Sequence, residues 1–327
     1  MHPAFSVIFL TTLIGVGQGL FLALYTGQVY SVANLLPAQD GAAFYGTGSL
    51  IALLFLGAGL LASFFHLGRP ERGWRAAARW RTSWLSREVI VLPGFMFFVF
   101  LYGIIHYAGW NPVFFEFGQQ PRIAIDLSLV VGAVTTLLAF ALFLSTGMIY
   151  ACIKFLQEWA TPLTVVNYTL LGLASGFTLA TAFSAAQGTG LTGFYGGWAI
   201  FFTLLAFATR LASLVRNARI QYKSSLRTAI GIRHARIAQK SQGFMAGSFN
   251  TREFFHHAPE QVFHAIKWAF MVLVFPVPVI LLGMGLSSPA VAVLVTAFLV
   301  QYTGLIAERW FFFAQANHPQ NLYYQTA

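Results

Sequence analysis

The chain has 327 residues, 57% of them hydrophobic and only 9% charged, with a mean hydropathy of +0.70. A soluble domain carries roughly 25% charged residues, so this composition excludes one and predicts an all-α integral membrane protein. The formal charge of +10 is then a property of the loops. Membrane composition already accounts for it, and no nucleic-acid partner is needed to explain it.

A hydrocarbon core of about 30 Å takes roughly 20 apolar residues per helix, and lipid obliges the backbone to satisfy its own hydrogen bonds. Runs of that length recur along the chain, without the ten-residue alternation of a membrane β-barrel. The first, "MHPAFSVIFLTTLIGVGQGLFLALY", lacks a basic leading region and exceeds the 7 to 15 apolar residues of a signal peptide, so it is expected to stay as the first span. Eight spans are predicted, at roughly 5–33, 43–66, 88–108, 123–151, 162–183, 194–215, 261–285 and 288–312. Short connections at 34–42, 184–193 and 286–287 make their flanking helices antiparallel neighbours. The whole of 1–327 reads as one eight-helix domain with two basic loops, 67–87 and 216–260, the second broken by glycine and expected on the membrane surface. Spacings such as Gly15 to Gly19 and Gly172 to Gly176 let helices approach closely.

Lysine and arginine collect in the loops after spans two, four and six, while the opposite side receives only Arg122. The positive-inside rule therefore puts both termini in the cytoplasm. The basic face suits anionic lipid or an acidic protein partner. The single cysteine, Cys152, excludes an intramolecular disulfide and a four-cysteine iron–sulfur or zinc site within this chain.

Between spans two and three lies "HLGRPERGWRAAARWRTSWLSRE", from His66 to Glu88. His66 closes one span and Glu88 opens the next, so both are expected at one depth. A carboxylate beside an imidazole can pass a proton. Quinone chemistry requires that, because two protons accompany two electrons and the carbonyl oxygens need donors. Arg69, Arg81, Trp74, Trp80 and Trp84 can supply hydrogen bonds and stacking around such a head group. The residues by themselves fit better with His66 and Glu88 as interfacial residues satisfied by headgroup water, among snorkelling arginines and an aromatic belt. Arg72, Arg75 and Arg79 share one face if the loop is α-helical, which suits lipid phosphate or a docked partner.

Among the histidines, only His66 with His264 lies at compatible depth for a haem, since His106 falls at the other end of span three. Asp126 reads as a helix N-terminal charge, and His256, His257 and Glu260 as surface-loop residues rather than a metal site. A secondary transporter would carry polar groups near the bilayer midplane, and charges in mid-span are lacking here.

The same stretch resembles the membrane anchor subunit of the dimethyl sulfoxide reductase family, in which a histidine-leucine-glycine ending span two precedes a "SWLSRE" motif opening span three. The resemblance covers essentially the whole chain. It implies a haem-free bacterial inner-membrane subunit that anchors a molybdopterin catalytic subunit and an iron–sulfur subunit on the cytoplasmic side and exchanges electrons with membrane quinone, menaquinone or ubiquinone. His66 and Glu88 become the quinone-site pair by that resemblance, with Arg69, Arg81 and Trp84 around the head group. Arg72, Arg75, Arg79 and Arg252 become docking residues for the redox partners. Two further stretches, "GFMAGSFNTREFFH" (243–256) and "AERWFFFAQANHPQNLYYQ" (307–325), resemble the branch of cytoplasmic sulfite dehydrogenases. That branch implies sulfite oxidation with quinone reduction. The alternative is quinol oxidation serving dimethyl sulfoxide or a related reductase.

Overall fold

A computed structural model of the chain describes residues 1–118, 123–222, 224–234, 236–238, 254–288 and 290–323. Arg122, Arg252, most of the 243–256 stretch and the last residues of the 307–325 stretch lie outside the described residues. Eight helical segments are long and apolar enough to cross a membrane. They are α1 (Phe5–Val32), α2 (Thr47–Phe64, entered through a π-helical turn at Gly41–Gly46), α3 (Trp84–Ala108), α4 (Leu127–Ala151), α5 (Pro162–Ala186), α6 (Thr192–Ala218), the pair α8 (Glu260–Val274) and α9 (Pro276–Ser287), and α10 (Val291–Ala314). A five-residue helix, α7 (Leu226–Ile230), lies between α6 and α8.

The boundaries follow local chemistry. Ser83 caps α3 by accepting the amide of Ser86, so the helix starts at Trp84, a turn earlier than the apolar run suggests. Asp126 caps α4, and residues expected in that span instead form the strand β2 (Ile123–Asp126), paired antiparallel with β1 (Val113–Phe117). Thr161 with Pro162 at the first helical position opens α5. The seventh span is not continuous: Pro276 follows Phe275, whose backbone leaves regular helical geometry, and the ring cannot donate the missing hydrogen bond.

Two helices form the axis of the bundle. In α1 and α5, 72% of the most apolar window is buried, against 28–39% in the other six spans. Small residues permit this: a Cβ on Gly19 would collide with the Gly172 carbonyl, and one on Gly176 with the Gly19 backbone. Lipid-facing helices pack around that crossing, α2 and α4 against α1, α6 against α5, and α10 against both α8 and α5.

One end of the bundle gathers the N-terminus and the end of α10. The Met1 amine donates to the carbonyls of Ala314 and Ala316. In the same region Glu158, between α4 and α5, accepts the Tyr222 hydroxyl at 2.5 Å and the Asn317 amide at 3.2 Å. The arginine-rich segment after α2 lies at this end too, and we call it the arginine-rich face. At the opposite end Tyr102 donates to Gln28, Gln28 to Ser128, and Ser128 to Asp126. There Asp126 also accepts the Leu129 amide at 2.8 Å, in keeping with its reading as a helix-terminal charge.

Candidate functional site

The segment from His66 to Ser83 is not an α-helix. Pro70–Arg79 forms a 3-10 helix with no buried residue. At about 3.0 residues per turn, Arg72 and Arg75 share an edge while Arg79 turns about a third of a turn away, so the three do not line one face as α-helical spacing would have them. All three are exposed, as are Arg69 and Arg81. The segment is tied to α3 by Arg87, which donates to the carbonyls of Trp80 at 3.0 Å and Arg81 at 2.9 Å. Its guanidinium also lies 4.1 Å from the centre of the Trp84 ring.

Because α2 stops at Phe64 and α3 starts at Trp84, His66 and Glu88 are not equivalent. His66 stands beyond its helix and is exposed, although partial desolvation holds its pKa below the ordinary imidazole value. Its imidazole can exchange protons with the aqueous phase. Glu88 is in the second turn of α3, 8% exposed, and accepts the hydroxyl of Thr146 from α4. Trp84 and Glu88 are four residues apart and so fall on one side of α3, a turn apart.

Glu88 opens on a small cavity inside the bundle, about 20 Å3, room for a single water. Its polar wall comes from five helices: Gln18 of α1, Glu88 of α3, Thr146 of α4, Tyr168 and Ser175 of α5, and Arg309 of α10. Arg309 belongs to a buried ionic cluster. Glu308 meets Arg210 of α6 at 2.8 Å and Arg309 at 3.4 Å, and each of these side chains is 5% exposed or less. The Arg309 guanidinium also lies 3.7 Å from the centre of the Tyr168 ring.

These charges sit within the spans but near the arginine-rich end, not at the midplane, where the sequence leads one to expect none. The sequence singles out none of Glu308, Thr146, Tyr168 and Gln18, and marks Arg210 only as one of the basic residues at the helix ends. For the ionic cluster the signal was present: three charged residues in otherwise apolar runs, where each is a functional candidate by default. Nothing local marks Thr146 or Gln18. His264 is exposed and its Nδ1 lies 2.9 Å from the Glu260 carbonyl, one turn back on its own helix.

The family model for the DMSO reductase anchor subunit (DmsC) matches residues 1–315. The C subunit of the sulfite dehydrogenase of Allochromatium vinosum is 57% identical over 326 residues, covering 100% of this chain and 99% of that protein.

Proposed function

The chain belongs to the family of DMSO reductase anchor subunits, and from that premise we propose that it is the membrane anchor and quinone-reactive subunit of a sulfite dehydrogenase. The observation that carries this reading is the 57% identity, over the full length of both chains, to the C subunit of a sulfite dehydrogenase. Sulfite is oxidised on another polypeptide. This chain has one cysteine, Cys152, so the iron–sulfur clusters and the molybdopterin that the family implies belong to partner subunits.

The arginine-rich face receives those partners. Exposed guanidinium groups at Arg72, Arg75 and Arg79 attract an acidic surface, and Arg252 is assigned the same role. That face is the cytoplasmic one in this reading, by the positive-inside rule, in a bacterial inner membrane. Electrons leave the partner close to the membrane surface, and the quinone accepts them at the same end of the bundle.

The head group lies against the Trp84 and Glu88 face of α3, with His66, Arg69 and Arg81 at its aqueous edge. Each residue contributes by its position. Trp84 offers a ring for stacking, the exposed arginines and His66 offer donors to a carbonyl oxygen, and Glu88 holds a proton out of contact with bulk water. His66 exchanges protons with the aqueous phase. Reduction of the quinone uses two electrons from the partner and two protons delivered through these groups, and no haem takes part.

Membranes containing the intact complex with His66→Ala or Glu88→Gln test the reading. Quinone-linked sulfite oxidation is expected to be lost in both, while assembly and activity with an artificial electron acceptor persist. Quinone-linked activity retained by both variants would defeat the site assignment.

A further inference from the structure

The ionic cluster below the arginine-rich face is unbalanced by one charge. Arg210 and Arg309 supply two cations and Glu308 one anion, and the shorter contact, 2.8 Å, belongs to Arg210. Arg309 is thus the surplus cation, and it is also the member of the cluster that lines the Glu88 cavity. An uncompensated guanidinium at this depth is costly unless an anion or a π-face answers it. The Tyr168 ring answers part of it. Glu88 is the one carboxylate in the cavity wall among the described residues.

We propose that Arg309 is a positioning residue for quinone reduction, acting through Glu88 by stabilising the negative charge that arises there when the proton leaves. This rests on the reading of Glu88 as the proton donor. In the step concerned, the O–H bond of the Glu88 carboxyl breaks, its proton passes to a water of the size the cavity admits, and that water gives up a proton of its own as an O–H bond forms on a quinone oxygen, while electrons arrive from the partner's reduced carrier. The charge left on Glu88 persists until a proton from the aqueous side restores the carboxyl. Arg309 and Glu88 line the same cavity inside the bundle, where a cation acts through a low dielectric and is far less screened than in bulk.

The other groups facing Glu88 do not supply this charge. From α1 come only the neutral Thr11, Thr12 and Gln18, and from α4 Thr146, whose hydroxyl Glu88 accepts. Tyr150 of α4 and Tyr168 of α5 are stacked at 5.7 Å, within electrostatic reach of both Glu88 and Arg309. Glu308 stands behind Arg309 and is already engaged by Arg210.

The experiment compares wild-type complex in its membrane with Arg309→Gln, Glu88→Gln and the double variant, following quinone-linked sulfite oxidation across pH and artificial-acceptor activity as control. Removing Arg309 leaves Arg210 and Glu308 as a neutral pair, and Arg309→Met, which refills the volume, is the second variant should the glutamine disturb assembly. The expected result is a loss of about 10- to 100-fold in quinone-linked kcat, little change in quinone KM, and an alkaline limb displaced to higher pH. Artificial-acceptor activity is unchanged in all three variants, and Arg309→Gln does not lower further whatever residual quinone-linked rate Glu88→Gln retains. A rate loss with the pH profile left in place overturns the proposal while leaving the Glu88 site standing. Full quinone-linked activity in Glu88→Gln overturns both.

Discussion

Arg210 of α6 and Glu308 of α10 meet at 2.8 Å, both side chains 1% exposed, two turns from a second buried contact between the same helices in which Gln301 donates to the Thr203 hydroxyl at 3.1 Å. Pairs of this kind contribute little net stability, because desolvation offsets attraction, yet breaking one strands a buried charge at about 3–5 kcal/mol. The two partners are not equivalent here. Glu308→Gln leaves two arginines unanswered, whereas Arg210→Gln leaves Glu308 still paired with Arg309 at 3.4 Å. Thermal denaturation in detergent is expected to show the larger loss for Glu308→Gln, and equal losses would show that Arg309 does not share the carboxylate.

Thr146 tests how tightly the Glu88 carboxyl must be held. Valine keeps the shape of threonine and removes the donor, leaving a buried carboxyl oxygen unsatisfied at about 1–3 kcal/mol. Thr146→Val is expected to slow quinone-linked turnover without touching artificial-acceptor activity, and Thr146→Ser to restore it. Wild-type kinetics in Thr146→Val would mean that the hydrogen bond between α3 and α4 has no part in the reaction.

Replacing Arg72, Arg75 and Arg79 together with glutamine is expected to release the redox partners from the membrane, read by their distribution between pellet and supernatant. Exposed charges are screened over about 8 Å at physiological ionic strength, so high salt should weaken the wild-type association in the same direction. Partners that stay bound to the triple variant at high salt would assign these arginines to lipid. Since Arg79 lies on a different edge of the 3-10 helix, its single replacement should cost less than that of Arg72 or Arg75.

The crossing of α1 and α5 separates packing glycines from permissive ones. Gly176→Ala places a methyl against the Gly19 backbone, where neither side can yield without moving a central helix, and overpacking of this kind costs about 1–3 kcal/mol or more. Gly57→Ala meets nothing within 4 Å on α2 and should be neutral or stabilising by up to about 1 kcal/mol through helix propensity. Similar losses for both would remove the crossing from the account of stability.

Eight spans, the end of the bundle at which the described basic residues collect and the lack of a cysteine set for a metal cluster in this chain could all be read from the sequence. Each depends on quantities local to a stretch of chain: about 20 residues of transfer free energy, the charge count of a loop, a single cysteine. The motif around His66 and Glu88 was legible for the same reason. Their relative depth was not, because the Ser83 cap starts α3 a turn early and carries Glu88 inside, while α2 ends short and leaves His66 in the exposed segment. Nor could any window reveal that Gln18, Glu88, Thr146, Tyr168 and Arg309, spread over most of the chain, line one cavity. That convergence is decided by which helix faces meet once Gly19 and Gly176 allow α1 and α5 to touch, a property of packing between distant segments that only the tertiary structure contains.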